Sequence, residues 1–339
     1  MRDVPGAARP GGKKESDITE STPRTVRELG EFALIARMNA GRSPGPGVLL
    51  GPGDDAAVIA APADRYVVST DMLIQGRHFR LDWSGPRDIG AKAIAQNAAD
   101  VVAMGAVPSA FVVALGCPGD TPVRFVDGLV EGMWAEARRA GASIAGGDVV
   151  SSPLLVLSVT AFGDPGRPPV LRSGASESDI VAVAGRLGHS AAGLELLTAD
   201  ADRERFADLV AAHRIPRPPY EAVRDLPDTT AVTSMTDVSD GLLADLAHLA
   251  DASGVAIDVD AAAVADPALR PAADALGADP LTWALTGGED HAFAATFRAG
   301  TPLPPGWRGI GRVRSGTGVF VDGDRWPGPL GWESFTGGE

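Results

Sequence analysis

Aspartates recur in this chain beside glycine, serine or threonine where short apolar runs stop: Asp54 and Asp55 in GPGDD, Asp71 in STD, Asp148 in AGGD, Asp237 and Asp240 in TDVSDG. Asp100 is a different case. It lies in an Ala-, Ile- and Val-rich stretch from Arg87 to Ala106, where Lys92, Gln96 and Asp100 fall at i, i+4 and i+8. A carboxylate on an otherwise apolar helix needs a cavity, a partner or a cation. Taken singly, each of these residues reads as a turn residue or a helix cap. Gathered on one rim of a sheet, where α/β proteins usually bind ligands, they would repel one another unless divalent cations sat among them. An all-oxygen set of Asp, Ser and Thr suits Mg2+ or Ca2+ and not zinc. There is no EF-hand loop and no GxxxxGK[ST] sequence, which disfavours calcium and excludes a P-loop enzyme. GPGVLLGPG is a poor phosphate cradle, because proline at two inner positions offers no N–H. TDVSDG opens a helix. It reads either as an N-cap or as free N–H groups facing a phosphate while Asp237 and Asp240 hold a bridging metal.

The elements that must position these groups follow from periodicity. Val26, Leu29, Phe32, Ile35 and Met38 recur at helical spacing between Thr25 and Ala40, and the GRSPGPG segment then reads as a connector. Runs around AAVIA and YVVST predict two strands; the polar-striped helix, a strand SAFVVALG, an amphipathic helix stopped at Gly141, and strands SIAGG and LLVLSVTAFG follow. The order ββαβαββ ends at a Pro-, Gly- and Ser-rich segment, which places a domain boundary near Asp164, and a strand IVAVAG begins the pattern again. In the second half, AVTSM runs as a strand into TDVSDG and a helix ending at Gly254, and a last helix, loop and strand carry LTGGEDHAFAATF.

Composition bounds the function. The 339 residues are 45% hydrophobic, enough for two cores, and the net charge of −14 repels nucleic-acid phosphates. Any anionic ligand should arrive with cations. The single Cys117 excludes a disulfide framework and Cys-rich metal sites, there is no signal-peptide core and no apolar run of membrane-span length, and the expected location is the cytoplasm. Residues 1–25 read as a mobile tail.

GPGDDAAVI, STDMLIQGRHF, KAIAQNAADVVAMGA, GGDVV, LRSGA, TDVSDGLLADL and TGGEDHAF, in this order, resemble the thiamine-monophosphate kinases over about residues 28 to 335. The resemblance implies an α/β (α+β) protein of the aminoimidazole-ribonucleotide-synthetase-like superfamily, with mixed sheets packed with helices in two domains. Residues 26–163 would form an N-terminal domain that binds metal and ATP and dimerises, and residues 164–339 a C-terminal domain. It implies a homodimer that joins through N-terminal strands and uses ATP and several Mg2+ ions to convert thiamine monophosphate into thiamine diphosphate by direct in-line transfer. By resemblance the metal ligands are Asp55, Ser69, Thr70, Asp71, Asp100, Asp148, Asp237 and Asp240; Gly147, Asp148, Arg172 and Ser239 hold ATP; and His78, Glu289 and Trp332 contact the thiamine phosphate. An aromatic face at Trp332 would suit the cationic thiazolium. Apart from the resemblance, those last three read as a surface histidine, a turn acid and a core aromatic. The family usually carries an aromatic after GGED, where this chain has His291.

Rival readings are an aminoimidazole-ribonucleotide or selenophosphate synthetase type of enzyme and a non-catalytic divalent-ion-binding dimer. The selenophosphate enzymes commonly place a reactive Cys or selenocysteine in an N-terminal Gly-rich motif, whereas Cys117 follows the third predicted strand.

Overall fold

The structure, a computed structural model, describes residues 25–52, 56–227 and 232–333. Residues 1–24 of the proposed tail, and Asp54 and Asp55, lie outside the described residues, whereas Thr25 caps the first helix. The chain opens with α1 (Val26–Leu29), α2 (Glu31–Asn39), β1 (Val48–Leu50) and β2 (Val58–Ile59). The predicted helix from Thr25 to Ala40 is therefore two helices, broken at Gly30, whose φ of 81° and ψ of 159° no helix interior adopts. Leu34 is its buried residue, and Phe32 is 82% exposed. The predicted connector ends in β1, which pairs antiparallel with β2.

Next come β3 (Val67–Ile74), α3 (Pro86–Ala103), β4 (Val107–Cys117), α4 (Val123–Arg139), β5 (Ser143–Ser151) and β6 (Val156–Asp164). The strands form a four-stranded sheet in the order β3-β6-β4-β5, in which only β4 and β5 run parallel. α4 makes the crossover that a parallel pair requires.

The second half holds β7 (Ile180–Ala184), α5 (His189–Thr198), α6 (Ala207–Arg214), α7 (Tyr220–Arg224), β8 (Val232–Val238), α8 (Leu242–Ser253), β9 (Ala256–Val259) and α9 (Ala261–Val264). After these come α10 (Arg270–Leu276), α11 (Pro280–Thr286), β10 (Ala292–Phe297), β11 (Trp307–Arg314), β12 (Gly318–Val321) and β13 (Asp324–Arg325). A seven-stranded sheet runs β13-β12-β9-β11-β7-β10-β8. Its central strands are apolar on both faces. Ala182, Ala184, Phe293 and Phe297 join the core shared with α3, α4 and the first sheet, while Val181, Val183, Ala292 and Ala294 join a second core with α5, α8 and α11. No helix among the described residues is long and apolar enough to cross a membrane.

α3 is the middle of this stack. Pro86 at its first position and the Asp88 carboxylate, which accepts from Gly85 N–H at 3.0 Å, start it, and alanine carries it onward. Of its 18 residues 14 are buried, so it lies between sheets and not on the surface. It crosses α4 at glycines: a Cβ at Gly90 would fall 2.0 Å from the Leu129 carbonyl oxygen, and one at Gly132 would fall 2.0 Å from the Arg87 carbonyl oxygen.

Helix propensity alone predicts that Gly90→Ala gains up to about 1 kcal/mol. The crossing predicts the reverse, because backbone must move to admit the methyl, and overpacking costs about 1–3 kcal/mol or more. Urea unfolding should show a lower midpoint at unchanged slope; a raised midpoint would mean that the helices part freely.

Candidate functional site

Along β3 successive side chains alternate between faces. Ser69 and Asp71 turn toward α3: the Ser69 hydroxyl donates to Asp100 Oδ2 at 2.6 Å, the Gln96 amide donates to Asp71 Oδ2 at 3.3 Å, and the Asp71 N–H donates to Asn97 Oδ1 at 3.0 Å. Two positions of the polar stripe, Gln96 and Asp100, therefore hold β3. Thr70 turns to the other face, where its hydroxyl donates to the Val159 carbonyl at 2.9 Å and accepts from Thr160 at 3.2 Å. Its hydroxyl is not gathered with Ser69 and Asp71.

Asp237, at the end of β8, completes the cluster from the second sheet. It is buried, and its Oδ2 lies 3.1 Å from Nδ1 of the buried His291. Burial first, then the charges of Asp237 and Asp71, push the Asp100 carboxyl up to about 7, against the pull of Ser69 and His291. Burial and Asp237 raise the Asp240 carboxyl as well, with His248, His291 and Arg172 acting the other way. Burial alone would lower the His291 pKa, but its hydrogen bond to Asp237 and the charges of Asp237, Glu289 and Asp100 leave it raised. Four carboxylates thus share one field with too few cations to balance them, an electrostatic setting that favours a divalent cation. Among the described residues no three His, Cys, Asp or Glu side chains stand ready to enclose a metal ion.

Asp148 and Gly147 are placed elsewhere. They lie on β5, the edge strand opposite β3, three strand spacings or roughly 14 Å across the sheet. Asp148 is exposed and its Oδ1 accepts from the Val149 N–H at 2.9 Å; Gly147 has no room for a side chain, since a Cβ would meet the Val113 carbonyl oxygen at 1.9 Å. The expected convergence of all the aspartates on one rim is therefore not met within a single copy. Asp55 lies outside the described residues.

The start of α8 also differs from expectation. The N–H groups of Ser239, Asp240 and Gly241 all donate to Oδ2 of the buried Asp245, at 3.0, 3.1 and 3.1 Å. The backbone donors offered to a phosphate are held by an internal carboxylate instead. The backbone of Ser239 and Asp240 is set by that turn, and Arg172, exposed on the linker, acts electrostatically on Asp240.

A second group of residues assembles around Lys92. Its ammonium lies 2.9 Å from both carboxylate oxygens of Glu289 and donates to the carbonyls of His78 at 3.0 Å and His213 at 3.4 Å. Nδ1 of His213 is 3.3 Å from Glu289. Burial pushes Glu289 up, but Lys92 and His213 outweigh it and hold the carboxyl below its usual range. Glu289 and His291 both have positive φ, 63° and 49°. Asp290 between them pins the segment by accepting from Gly188 N–H at 2.5 Å and Ser190 N–H at 2.9 Å. Backbone in such conformations persists where its surroundings over-determine it.

His78 accepts the Ile74 N–H at Nδ1, at 3.0 Å. With Nδ1 accepting, the ring proton of the neutral form is on Nε2. Burial, the largest influence, lowers its pKa. His78 therefore offers a donor at Nε2 near neutral pH, not a base. Trp332 is 53% exposed rather than a core aromatic; its backbone N–H donates to the Asp240 carbonyl at 2.9 Å, and the Arg77 guanidinium lies 5.0 Å from its ring centroid.

Sequence reasoning singled out Lys92 as part of a stripe without giving it a role, and missed His213, Asp245 and Asp290. Asp245 sits in a helix and Asp290 beside the assigned Glu289, and only long-range pairing or turn geometry reveals what they do.

The AIR synthase related protein, N-terminal domain, matches residues 53–164, and the AIR synthase related protein, C-terminal domain, matches residues 177–288. The thiamine-monophosphate kinase of Mycobacterium tuberculosis is 54% identical over 326 residues, which cover 95% of this chain and 96% of that protein. Among solved structures, thiamine-monophosphate kinase from Stenotrophomonas maltophilia K279a aligns at 35% identity and a TM-score of 0.76, over 87% of this chain and 98% of its own. AaThiL complexed with AMPPCP and TMP aligns at 32% identity and a TM-score of 0.76, over 93% and 100%. Both domains match, and the likeness runs through nearly the whole sequence: the chain belongs to the thiamine-monophosphate kinase family.

Proposed function

We propose that the chain transfers the γ-phosphoryl group of ATP to the phosphate of thiamine monophosphate, giving thiamine diphosphate and ADP. The observation that carries this reading is the adjacency of two unlike subsites along one face of α3. One is a cluster of carboxylates suited to a nucleotide carried with Mg2+. The other, built from His78, Glu289, Arg77 and Trp332, combines an imidazole donor and a guanidinium for a phosphate with a carboxylate and an aromatic ring for a cationic heterocycle. The solved relative complexed with AMPPCP and TMP supports the same pair of ligands.

Asp71, Asp100, Asp237 and Asp240 would hold the cations, with Ser69 orienting Asp100. Bound there, Mg2+ supplies charge neutralisation between two polyanions and stabilises the charge of the transferring phosphoryl group. The acceptor is a phosphate oxygen with a second pKa near ~6, already largely ionised at neutral pH, so no base is needed. His78, a donor at Nε2, fits that requirement by binding the acceptor and not deprotonating it. A thiazolium that uses Trp332 stacks on the face opposite Arg77 or displaces Arg77. Gly147, Asp148, Arg172 and Ser239 remain the residues assigned to ATP.

The chain is a homodimer in this reading. Val68 and Met72 on β3 and Val150 on β5 are 54, 50 and 53% exposed, an apolar sheet face of the kind that marks an association surface. Because Asp71 and Asp148 sit on opposite edges of the sheet, a second copy is the arrangement in which one copy's β5 can complete the other's site.

Three measurements test these statements. Coupled assay of ADP formation with thiamine monophosphate and a panel of other phosphate esters should show turnover with the thiamine ester, and Asp71→Asn or Asp100→Asn should reduce it by orders of magnitude while the unfolding midpoint holds. Near-normal turnover in both variants at limiting Mg2+ would remove the cation assignment. His78→Ala should lower activity without changing the shape of its pH profile, which rises as the acceptor phosphate ionises near ~6 and then levels; loss of the rising limb would make His78 a base. Co-expressed Asp71→Asn and Asp148→Asn chains should recover about a quarter of wild-type activity if sites are shared, since half of randomly paired dimers are mixed and each has one intact site. No recovery would mean that each copy holds a whole site.

A further inference from the structure

The Lys92 side chain is only 2% exposed, and its three N–H donors meet three acceptors from three separate parts of the chain. They are the His78 carbonyl in the segment after β3, the His213 carbonyl near the end of α6, and the Glu289 carboxylate in the loop before β10. No donor remains for a substrate phosphate. With Lys92 buried and the Glu289 side chain 31% exposed, this ion pair is a weak means of adding stability, because the cost of desolvating the ammonium offsets much of the attraction. What it does provide is a carboxylate kept ionised and fixed in direction, and a backbone fixed on the other side of it.

We propose that Lys92 is a positioning residue of the acceptor subsite, which acts on thiamine monophosphate binding through Glu289 and His78 without touching the substrate. The proposal rests on the reading that His78 and Glu289 contact the acceptor. The two groups come from different domains, and Lys92 joins them through one ammonium. With Nδ1 of His78 held by the Ile74 N–H and the His78 carbonyl held by Lys92, the imidazole is set from both ends. Glu289, at positive φ, is held by its own N–H to the Ser239 carbonyl at 2.7 Å and by Lys92 at its carboxylate.

The test compares Lys92→Met, Glu289→Gln, their double variant and Lys92→Arg for thermal midpoint and for the KM of each substrate. Lys92→Met should raise the KM for thiamine monophosphate roughly tenfold or more, the size of one charge-assisted hydrogen bond, and leave the KM for ATP within about twofold. In the Glu289→Gln background the same change should add little, because both act on one interaction. Lys92→Arg keeps the charge and should recover part of the loss. If Lys92→Met does not fold, the double variant, which leaves no unpaired charge, still reads the coupling against Glu289→Gln alone. A lowered midpoint with an unchanged KM for thiamine monophosphate would overturn the proposal and make Lys92 a structural pair. If Glu289→Gln and His78→Ala raise that KM while Lys92→Met does not, the positioning role fails and the acceptor subsite stands. If none of them raises it, the acceptor reading fails and the role of Lys92 falls with it.

Discussion

A charged or amide side chain every fourth residue on a helix largely buried from both sides has to be matched by partners brought to it, since little water reaches it. That requirement organises this protein. Lys92 draws in Glu289 and the backbone at His78 and His213, Gln96 draws in Asp71, and Asp100 draws in Ser69 and faces Asp237. Each step along the stripe therefore recruits a different piece of chain. The helix also fixes their spacing: at 1.5 Å per residue, positions 92 and 100 are about 12 Å apart along its axis, so the two ends of the site are set by one rigid rod.

Much of this was legible in the sequence. Alanine-rich surroundings make the stripe visible, and of the aspartates expected to converge, Asp71 and Asp237 both act electrostatically on Asp100. What failed was what depends on pairing order. Asp71 and Asp148 lie inside β3 and β5 and not at strand ends as expected, and the order β3-β6-β4-β5 puts the two strands at opposite edges; nothing in either segment encodes that order. Ser69, Thr70 and Asp71 are consecutive, and the two-residue period of a strand separates the middle one from its neighbours. Glu289 was found only through resemblance, because its partner Lys92 is 197 residues away in sequence.

The start of α8 shows how one physical device can serve two ends. Three N–H groups in a row attract an anion, and the sequence leaves open whether that anion is a ligand or the protein's own. Here it is Asp245, whose carboxylate is buried among donors that the strand-to-helix turn leaves unsatisfied. The turn is thereby fixed before any ligand arrives, and the backbone of Ser239 and Asp240 is held by hydrogen bonds to Asp245 and not by what their side chains bind. The same holds for the Glu289 to His291 loop, which Asp290 secures from inside.

The glycine crossing of α3 and α4 has a reach beyond stability. Gly90 and Lys92 are two positions apart, so about 200° of helix rotation separates the face that presses on α4 from the face that carries the charges. Because backbone meets backbone at Gly90 and Gly132, the azimuth of α3 is indexed by contact with its neighbour, as a keyed shaft is by its slot. Any side chain in that slot would turn or lift the shaft as a whole and carry Lys92, Gln96 and Asp100 with it. The placement of the charged stripe is thus partly a property of two residues that have no functional group at all.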